Sequence, residues 1–315
     1  MTKTGGDMGL LYEGVPCNLC GGTLYKVLYE GNIKDDPSMS LEALKKDYSA
    51  SSNIILTDRI VKCDFCGLVF VNPRPKINNI IECYSQAVDE LYVSQAEGRI
   101  KTFRKGISLV EKYSKQKGRV LDVGAAAGFF LKAAQENKWE TYGVEPSKWM
   151  SEYGNRTLGV NIKQGTLEEA KFPDNYFDVV TMWDVLEHTG DPMATLREAN
   201  RVLKKGGLLV VNFPNIGDPL ARLFGRRWWF ILAVHLYYFT PNTLSEMLKK
   251  SGFEVKAVRP HFQRLTFGYL VYRLKPYSKT LFTFLNGFTQ LFKIGDFQVI
   301  YYASQTNIIA VKFKG

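Results

Sequence analysis

From residue 119 onward the chain alternates between two hydrophobic rhythms. Short apolar runs fall at 119–123, 140–144, 160–163, 177–182 and 207–213. Between them apolar residues recur at helical spacing, over 129–137, 147–156 and 192–203. Short apolar runs bounded by turn formers read as buried strands, and the spaced segments read as helices. Lys204-Lys205-Gly206-Gly207 supplies a helix stop followed by a turn. A further helix is predicted over 241–251, with Thr240 as its N-cap and Gly252 as its C′ residue. A sixth strand is expected at 253–259 and a seventh at 306–314. This alternation argues for an α/β fold, a parallel sheet with helices on both faces.

The segments outside that rhythm set the domain plan. Residues 1–76 are loop-rich, with short strands expected at Leu24–Tyr29, Ile60–Lys62 and Leu68–Val71. Residues 32–53 are polar and read as a long excursion, and Asn72-Pro73-Arg74-Pro75 closes the unit. Residues 77–118 form a helical linker, with Ile77, Ile80, Ile81, Tyr84, Ile107 and Val110 at helical spacing. Residues 119–315 carry the main domain, interrupted at 214–240 and 260–305. Both interruptions leave the carboxyl ends of strands, where open α/β sheets bind ligands. They are therefore expected to form an inserted aromatic cap over an acceptor pocket. Residues 260–305 hold 12 aromatics, and Leu281, Leu285, Phe288 and Phe292 share one helical face.

Composition narrows the class. A chain of 315 residues with 45% hydrophobic and 23% charged residues is that of a soluble globular protein with a sizeable core. Met1–Pro16 has no apolar core of the signal-peptide kind. The longest nearly apolar run, Trp228–Phe239, is interrupted by His235 and is too short to span a bilayer. The net charge of +10 is uneven: 214–305 carries 12 Lys/Arg against 4 Asp/Glu. A basic surface of this kind suits nucleic acid, an anionic membrane or an anionic small substrate, and is also found as an ordinary solvated face.

The candidate chemistry centres on Val120–Gly128: a strand, Asp122, a small-residue turn through Gly124, Ala125 and Gly128, then a helix from Phe129. Small residues admit close approach to a ligand, and the helix start offers unpaired N–H groups. An acid before the first glycine would repel a dinucleotide's diphosphate. It suits a positive charge or hydroxyls, and S-adenosylmethionine (SAM) carries an ammonium and a sulfonium and no phosphate. Glu145 ends the second strand, where a carboxylate can accept from both ribose hydroxyls. Gln164-Gly165-Thr166-Leu167 ends the third, and Trp183-Asp184-Val185-Leu186-Glu187-His188 the fourth.

This ordered set, with Phe177-Asp178 and Lys205-Gly206-Gly207, resembles the class I SAM-dependent methyltransferase family over about 119–259 and the final strand. The later His235-Leu236-Tyr237-Tyr238-Phe239-Thr240 and Gly252-Phe253 are similar to one of its subgroups. The resemblance implies a Rossmann-like seven-stranded sheet. It implies that the Gly124–Gly128 loop, with Asp122 and Ala125, holds the methionine part of SAM. Glu145 and Pro146 would lie by the ribose, Thr166 and Leu167 would flank the adenine, and Trp183 and Asp184 would lie near the methionine moiety. Two residues depart from the family's most frequent pattern: Ala126 replaces a glycine, and Thr166 an aspartate.

Cys17-Asn18-Leu19-Cys20-Gly21 and Cys63-Asp64-Phe65-Cys66-Gly67 form two C-x-x-C-G knuckles. Four thiolates match tetrahedral Zn²⁺ in a structural zinc ribbon and leave no open position for catalysis. Disulfides or a redox dithiol are the other readings. Free cysteine pairs suit a reducing cytoplasm, and Cys83, outside both knuckles, is expected in the core. The unit resembles the zinc-ribbon head of a subset of these methyltransferases associated with sugar or envelope modification.

In-line methyl transfer needs a nucleophile placed on the methyl axis, and a hydroxyl or acidic C–H acceptor needs a general base. His188 and His235 are the candidates, with His261 a weaker third. Arg226-Arg227-Trp228-Trp229-Phe230 suits phosphate recognition or a membrane interface. Together with this segment, the resemblance to the sugar- and envelope-associated members implies a small or lipid-linked, anionic sugar or envelope intermediate as acceptor. Peripheral membrane contact is expected through 222–234 and 260–297, on a protein that is cytoplasmic or peripheral at the inner membrane surface. Two other readings stand: an RNA- or protein-directed methyltransferase using the ribbon as reader, and a non-catalytic SAM-binding module. Nucleic acid is disfavoured, because the ribbon lacks a dense Lys/Arg cluster.

Overall fold

The computed structural model describes residues 11–31, 58–85, 88–114, 116–275 and 277–313, without the side chains of 81–84. The polar excursion at 32–53 lies outside the described residues, as does the side chain of Cys83.

The N-terminal unit holds β1 (Tyr12–Glu13), β2 (Tyr25–Tyr29), β3 (Ile60–Cys63), β4 (Val69–Val71) and β5 (Arg74–Pro75). Three helices follow: α1 (Ile77–Ser85), α2 (Glu90–Ser94) and α3 (Ala96–Tyr113). The alternating region then runs β6 (Arg119–Val123), α4 (Phe129–Glu136), β7 (Glu140–Glu145), α5 (Lys148–Tyr153), β8 (Ile162–Gln164), α6 (Leu167–Ala170), β9 (Phe177–Trp183), α7 (Pro192–Val202) and β10 (Leu203–Pro214). Beyond it lie α8 (Pro219–Phe224), β11 (Tyr237–Tyr238), α9 (Pro241–Lys250), β12 (Phe253–Thr266), α10 (Phe267–Tyr272), α11 (Lys279–Leu291) and β13 (Gln298–Lys312).

The main sheet has seven strands in the order β12-β13-β10-β9-β6-β7-β8. It is mixed rather than parallel: β13 runs antiparallel to both β10 and β12. Side-chain alternation explains the two-faced core. Leu121, Val180, Met182, Leu209, Val211 and Ile308 point to one buried cluster, which also takes Leu196, Ala199, Leu244 and Met247 from α7 and α9. Val120, Val179, Leu208, Val210 and Ile309 point to the other, with Ile107 and Val110 of α3 and Phe130 and Ala134 of α4.

Helix ends follow local chemistry. Asp191 accepts from the Ala194 N–H at 2.9 Å, with Pro192 in the first turn of α7. Thr240 caps α9 through the Thr243 N–H at 3.2 Å, and Gly252 after it has φ +85°. The 204–207 turn is drawn into the start of β10, where the register with β9 shifts between Leu203 and Leu208 and Gly206 has φ +74°.

Both interruptions differ from expectation. β12 and β13 continue past the sheet as a paired ribbon, Phe262 opposite Tyr302 and Thr266 opposite Gln298. Much of 260–305 is therefore extended strand, and only α10, α11 and their connections form an insertion. Residues 214–240 do not form a lid. Tyr237 pairs with Phe70 and Tyr238 with Val69, so β11 completes the N-terminal sheet, β11-β4-β3-β2. Trp228, Ile231, Ala233 and Leu236 are buried in the shared core. Trp228 and 231–234 are thus packed inside, whereas Leu223 and Phe224 of the same stretch are exposed.

Candidate active site

A cavity of about 590 Å³ opens at the carboxyl ends of β6, β7 and β9. Its volume lies in the range of small-molecule sites. Each wall is set by local backbone chemistry. Gly124 has φ +66°, and a Cβ there would fall 2.7 Å from Val185. Gly128 has φ +78° at the N-cap of α4. Ala126 sits between them with φ +46°, in the left-handed region that favours glycine. The Ala126 N–H donates to Glu145 Oε2 at 2.8 Å, which holds the turn closed despite the added Cβ.

The floor is acidic. Asp122 is 2% exposed and accepts from the Thr181 hydroxyl at 2.7 Å. Burial pushes its carboxyl up to about 8, against the pull of that hydroxyl, and the nearby Glu145 charge raises it further. Glu145 accepts from the Ala126 and Ser147 N–H groups, 2.8 and 2.9 Å away, leaving lone pairs for ribose hydroxyls. Burial nonetheless raises its carboxyl above the usual range. Asp184 has φ +55° and accepts from Gln305, while burial lifts its carboxyl to about 6. Pro146, Thr166, Leu167 and Trp183 also face the cavity, as does Ala125. Thr166 forms a capping box with Glu169 at the start of α6: its hydroxyl accepts from the Glu169 N–H, its own N–H donates to Glu169, and its carbonyl accepts from Ala170. The hydroxyl's proton is the polar group this position leaves for an adenine.

The roof is basic, and sequence reasoning missed it. Arg99 of α3 and Arg264 of β12 both face the cavity, and the Nε of each is buried with no hydrogen-bond partner among the described residues. Arg99 also lies 3.8 Å from the centre of the Tyr92 ring. A guanidinium N–H deprived of water and of a protein acceptor is a place for a ligand's anionic oxygen. These arginines lie far apart in sequence and are brought together only by packing of α3 on the ribbon. Each segment holds a second arginine, Arg104 in α3 and Arg259 in β12, so the sequence does not single out this pair.

A model of the methyltransferase-domain family matches residues 92–258, more than half of the chain. The chain belongs to that family. The matched region is a SAM-dependent methyltransferase domain and supplies most of the cavity's wall, with His261 and Arg264 lying beyond it. An uncharacterised methyltransferase of Schizosaccharomyces pombe is 36% identical over 112 residues, 30% of this chain and 40% of that protein. A demethylmenaquinone methyltransferase of Staphylococcus saprophyticus is 31% identical over 144 residues, 44% of this chain and 61% of that one. The chain thus spans about two-fifths to three-fifths of the length of these relatives. A SAM-dependent methyltransferase of Archaeoglobus fulgidus has the same fold, with a TM-score of 0.50 at 21% identity, covering 71% of this chain and all of that one.

Around the methyltransferase cavity the three histidines take different places. His188 and His261 line it, whereas His235 is 4% exposed and is not on its wall. His235 stands behind His188, ring centres 4.7 Å apart. His188 Nδ1 lies 3.0 Å from the Val234 carbonyl, and His235 Nδ1 lies 2.8 Å from that of Phe230. Each carbonyl requires a proton on Nδ1, which fixes the neutral tautomer with its lone pair on Nε2. Burial pushes His188 and His261 down to about 4, and His235 well below its ordinary value. All three are therefore neutral near pH 7. Glu187 is also buried, and neither of its carboxylate oxygens has a partner among the described residues.

Cys17, Cys20, Cys63 and Cys66 converge, their sulfurs all within 4.8 Å of one another. Cys17 and Cys66 Sγ are 3.4 Å apart, Cys20 and Cys63 Sγ 3.5 Å. A tetrahedral zinc with Zn–S bonds near 2.3 Å needs about 3.8 Å between sulfurs, so the donor set fits with small adjustments. Gly21 and Gly67, at φ +74° and +73°, form matching turns whose N–H groups bond back to Cys17 and Cys63.

Proposed function

We propose that this protein transfers a methyl group from SAM to an anionic acceptor, a sugar or envelope intermediate that is small or lipid-linked, by O- or C-methylation. The observation that carries the reading is the division of one cavity into an acidic floor and a basic roof. When bound, SAM supplies an electrophilic methyl group on a sulfonium. The floor acids Asp122 and Asp184 favour its positive charge, and Glu145 takes the ribose hydroxyls. Arg99 and Arg264 take anionic oxygens, from the cofactor's own carboxylate and from the acceptor. His188, neutral and on the wall, accepts the acceptor's proton through Nε2. Trp183, flanked by Phe103 and Phe130 with ring centres 5.5 and 5.4 Å away, keeps water from that end of the cavity. The name of the Staphylococcus relative, a demethylmenaquinone methyltransferase, supports an acceptor with a lipid character. The four cysteines hold a structural Zn²⁺ that stiffens the N-terminal unit.

The test is to incubate the full chain with methyl-labelled SAM and a cell extract, then fractionate the label. Label in an anionic small molecule or glycolipid supports the proposal, with turnover lost in His188→Ala. Label in RNA or protein favours a reader-directed enzyme. SAM binding without any turnover favours a non-catalytic module, and unchanged SAM affinity in Glu145→Ala refutes the ribose assignment.

A further inference from the structure

The helix α11 turns Phe282 and Leu285, both half-buried, toward its neighbours and carries a second apolar face. Leu281, Phe284, Phe288 and Leu291 follow at intervals of three, four and three residues and so form one stripe. That stripe faces outward: Phe284 is 70% and Leu291 76% exposed, and Leu281 and Phe288 are nearly half exposed. The fully buried residue of the helix is the polar Thr289. A helix that packs on a core turns its apolar face inward. Phe292 and Phe297 extend the outward patch past the helix end, both more than half exposed. A contiguous apolar patch on this scale marks an interaction surface.

Charge selects the partner. Lys275, Lys279 and Lys293 flank the stripe and are exposed, and Asp296 is the single acid between residues 267 and 297. An apolar face with a lysine rim matches the boundary between headgroups and acyl chains of an anionic bilayer, where lysine stems reach out to the phosphates. No helix among the described residues is long and apolar enough to cross a membrane. The surface lies at the far end of the β12/β13 ribbon, which carries His261 and Arg264 into the cavity.

We propose that α11 and the Phe292–Phe297 turn dock this protein on an anionic lipid surface, with the cavity's ribbon wall held next to the bilayer. The inference stands apart from the acceptor's identity, because binding to vesicles is measured without SAM. The full chain is floated with vesicles of phosphatidylcholine alone or mixed with phosphatidylglycerol, at physiological salt. Binding to the mixed vesicles is expected. The double variant Phe284→Ser/Leu291→Ser is expected to lose it by at least about tenfold, while its circular dichroism and SAM affinity stay unchanged. Lys279→Glu/Lys293→Glu is expected to weaken binding to mixed vesicles alone. No flotation of the unaltered protein, or equal flotation of the double variant, overturns the proposal. Concentration-dependent dimerisation that Phe284→Ser abolishes, without vesicle binding, reassigns the patch to a contact between two copies of the chain.

Discussion

The two aromatic, basic segments 214–240 and 260–305 look alike in sequence and meet opposite fates. In the first, Trp228 and Leu236 are at most 1% exposed and Tyr237 and Tyr238 complete a sheet. In the second, the helix turns Phe284 and Phe288 to the outside. The first segment finds an open strand edge and an apolar face already built by residues 60–71. Val71 donates to the Leu236 carbonyl at 2.9 Å, and the Leu236 N–H donates to that of Glu187 at 2.7 Å. Arg74 bonds Tyr237 Oη and the Gly190 carbonyl, both at 2.9 Å. In the second segment the ribbon packs on α3, but among the described residues α11 finds no open strand edge and lies against α10. Apolar content therefore does not decide burial here; an available partner does.

Substitutions can break this contrast. The largest effect is expected for Trp228→Ala, which leaves a cavity in the shared core and should cost about 3–5 kcal/mol, read by chemical denaturation. Next comes Arg264→Ala, which removes the ribbon's cation from the cavity. It should raise the acceptor KM roughly ten- to a hundredfold, as loss of a charge-assisted hydrogen bond does, whereas Arg222→Ala on exposed α8 should leave it unchanged. A smaller effect is pH-dependent and common to both segments, because it concerns the floor. Burial raises Asp122 to about 8, so below that pH the empty site holds it protonated. A cationic cofactor favours the ionised form. SAM affinity should therefore rise about tenfold from pH 7 to pH 9, with proton release on binding below pH 8, measured by calorimetry in buffers of different ionisation heat. Asp122→Asn should flatten that profile. The smallest effect is expected for Phe284→Ser, which should change folding stability by no more than about 0.5 kcal/mol, since the ring is already in water. A loss as large as that of Trp228→Ala would show that α11 packs inward after all.

Much of the fold was legible because it depends on local rhythm. The alternating strands and helices, the capped start of α9 and the glycine turn at 124–128 follow from spacing and backbone permission. Ala126 was visible as a departure, and its φ of +46° states what the departure demands. The antiparallel direction of β13 was not legible, since a strand's pattern carries no sense of direction. Nor was the basic roof, because Arg99 and Arg264 meet through the packing of α3 on β12 across 165 positions of chain. The stripe on α11 was readable as a periodicity. Which side of it faces water is set by neighbours, and periodicity does not contain them. His235 looked equivalent to His188 for the same reason: only the fold puts one behind the other.

The pairing of β11 with β4 has a consequence for how the chain is made. Both cysteine knuckles are complete by Gly67, so the zinc proposed above would be captured while most of the polypeptide is still being synthesised. The sheet that rests on those knuckles lacks its last strand until Tyr238 emerges. During that interval the hydrogen-bonding edge of β4 stands open, and unpaired edges invite pairing with other chains. The N-terminal unit thus reaches its native form late, although its four clustered cysteines come first. Fragments ending before residue 238 should retain zinc yet associate through that edge.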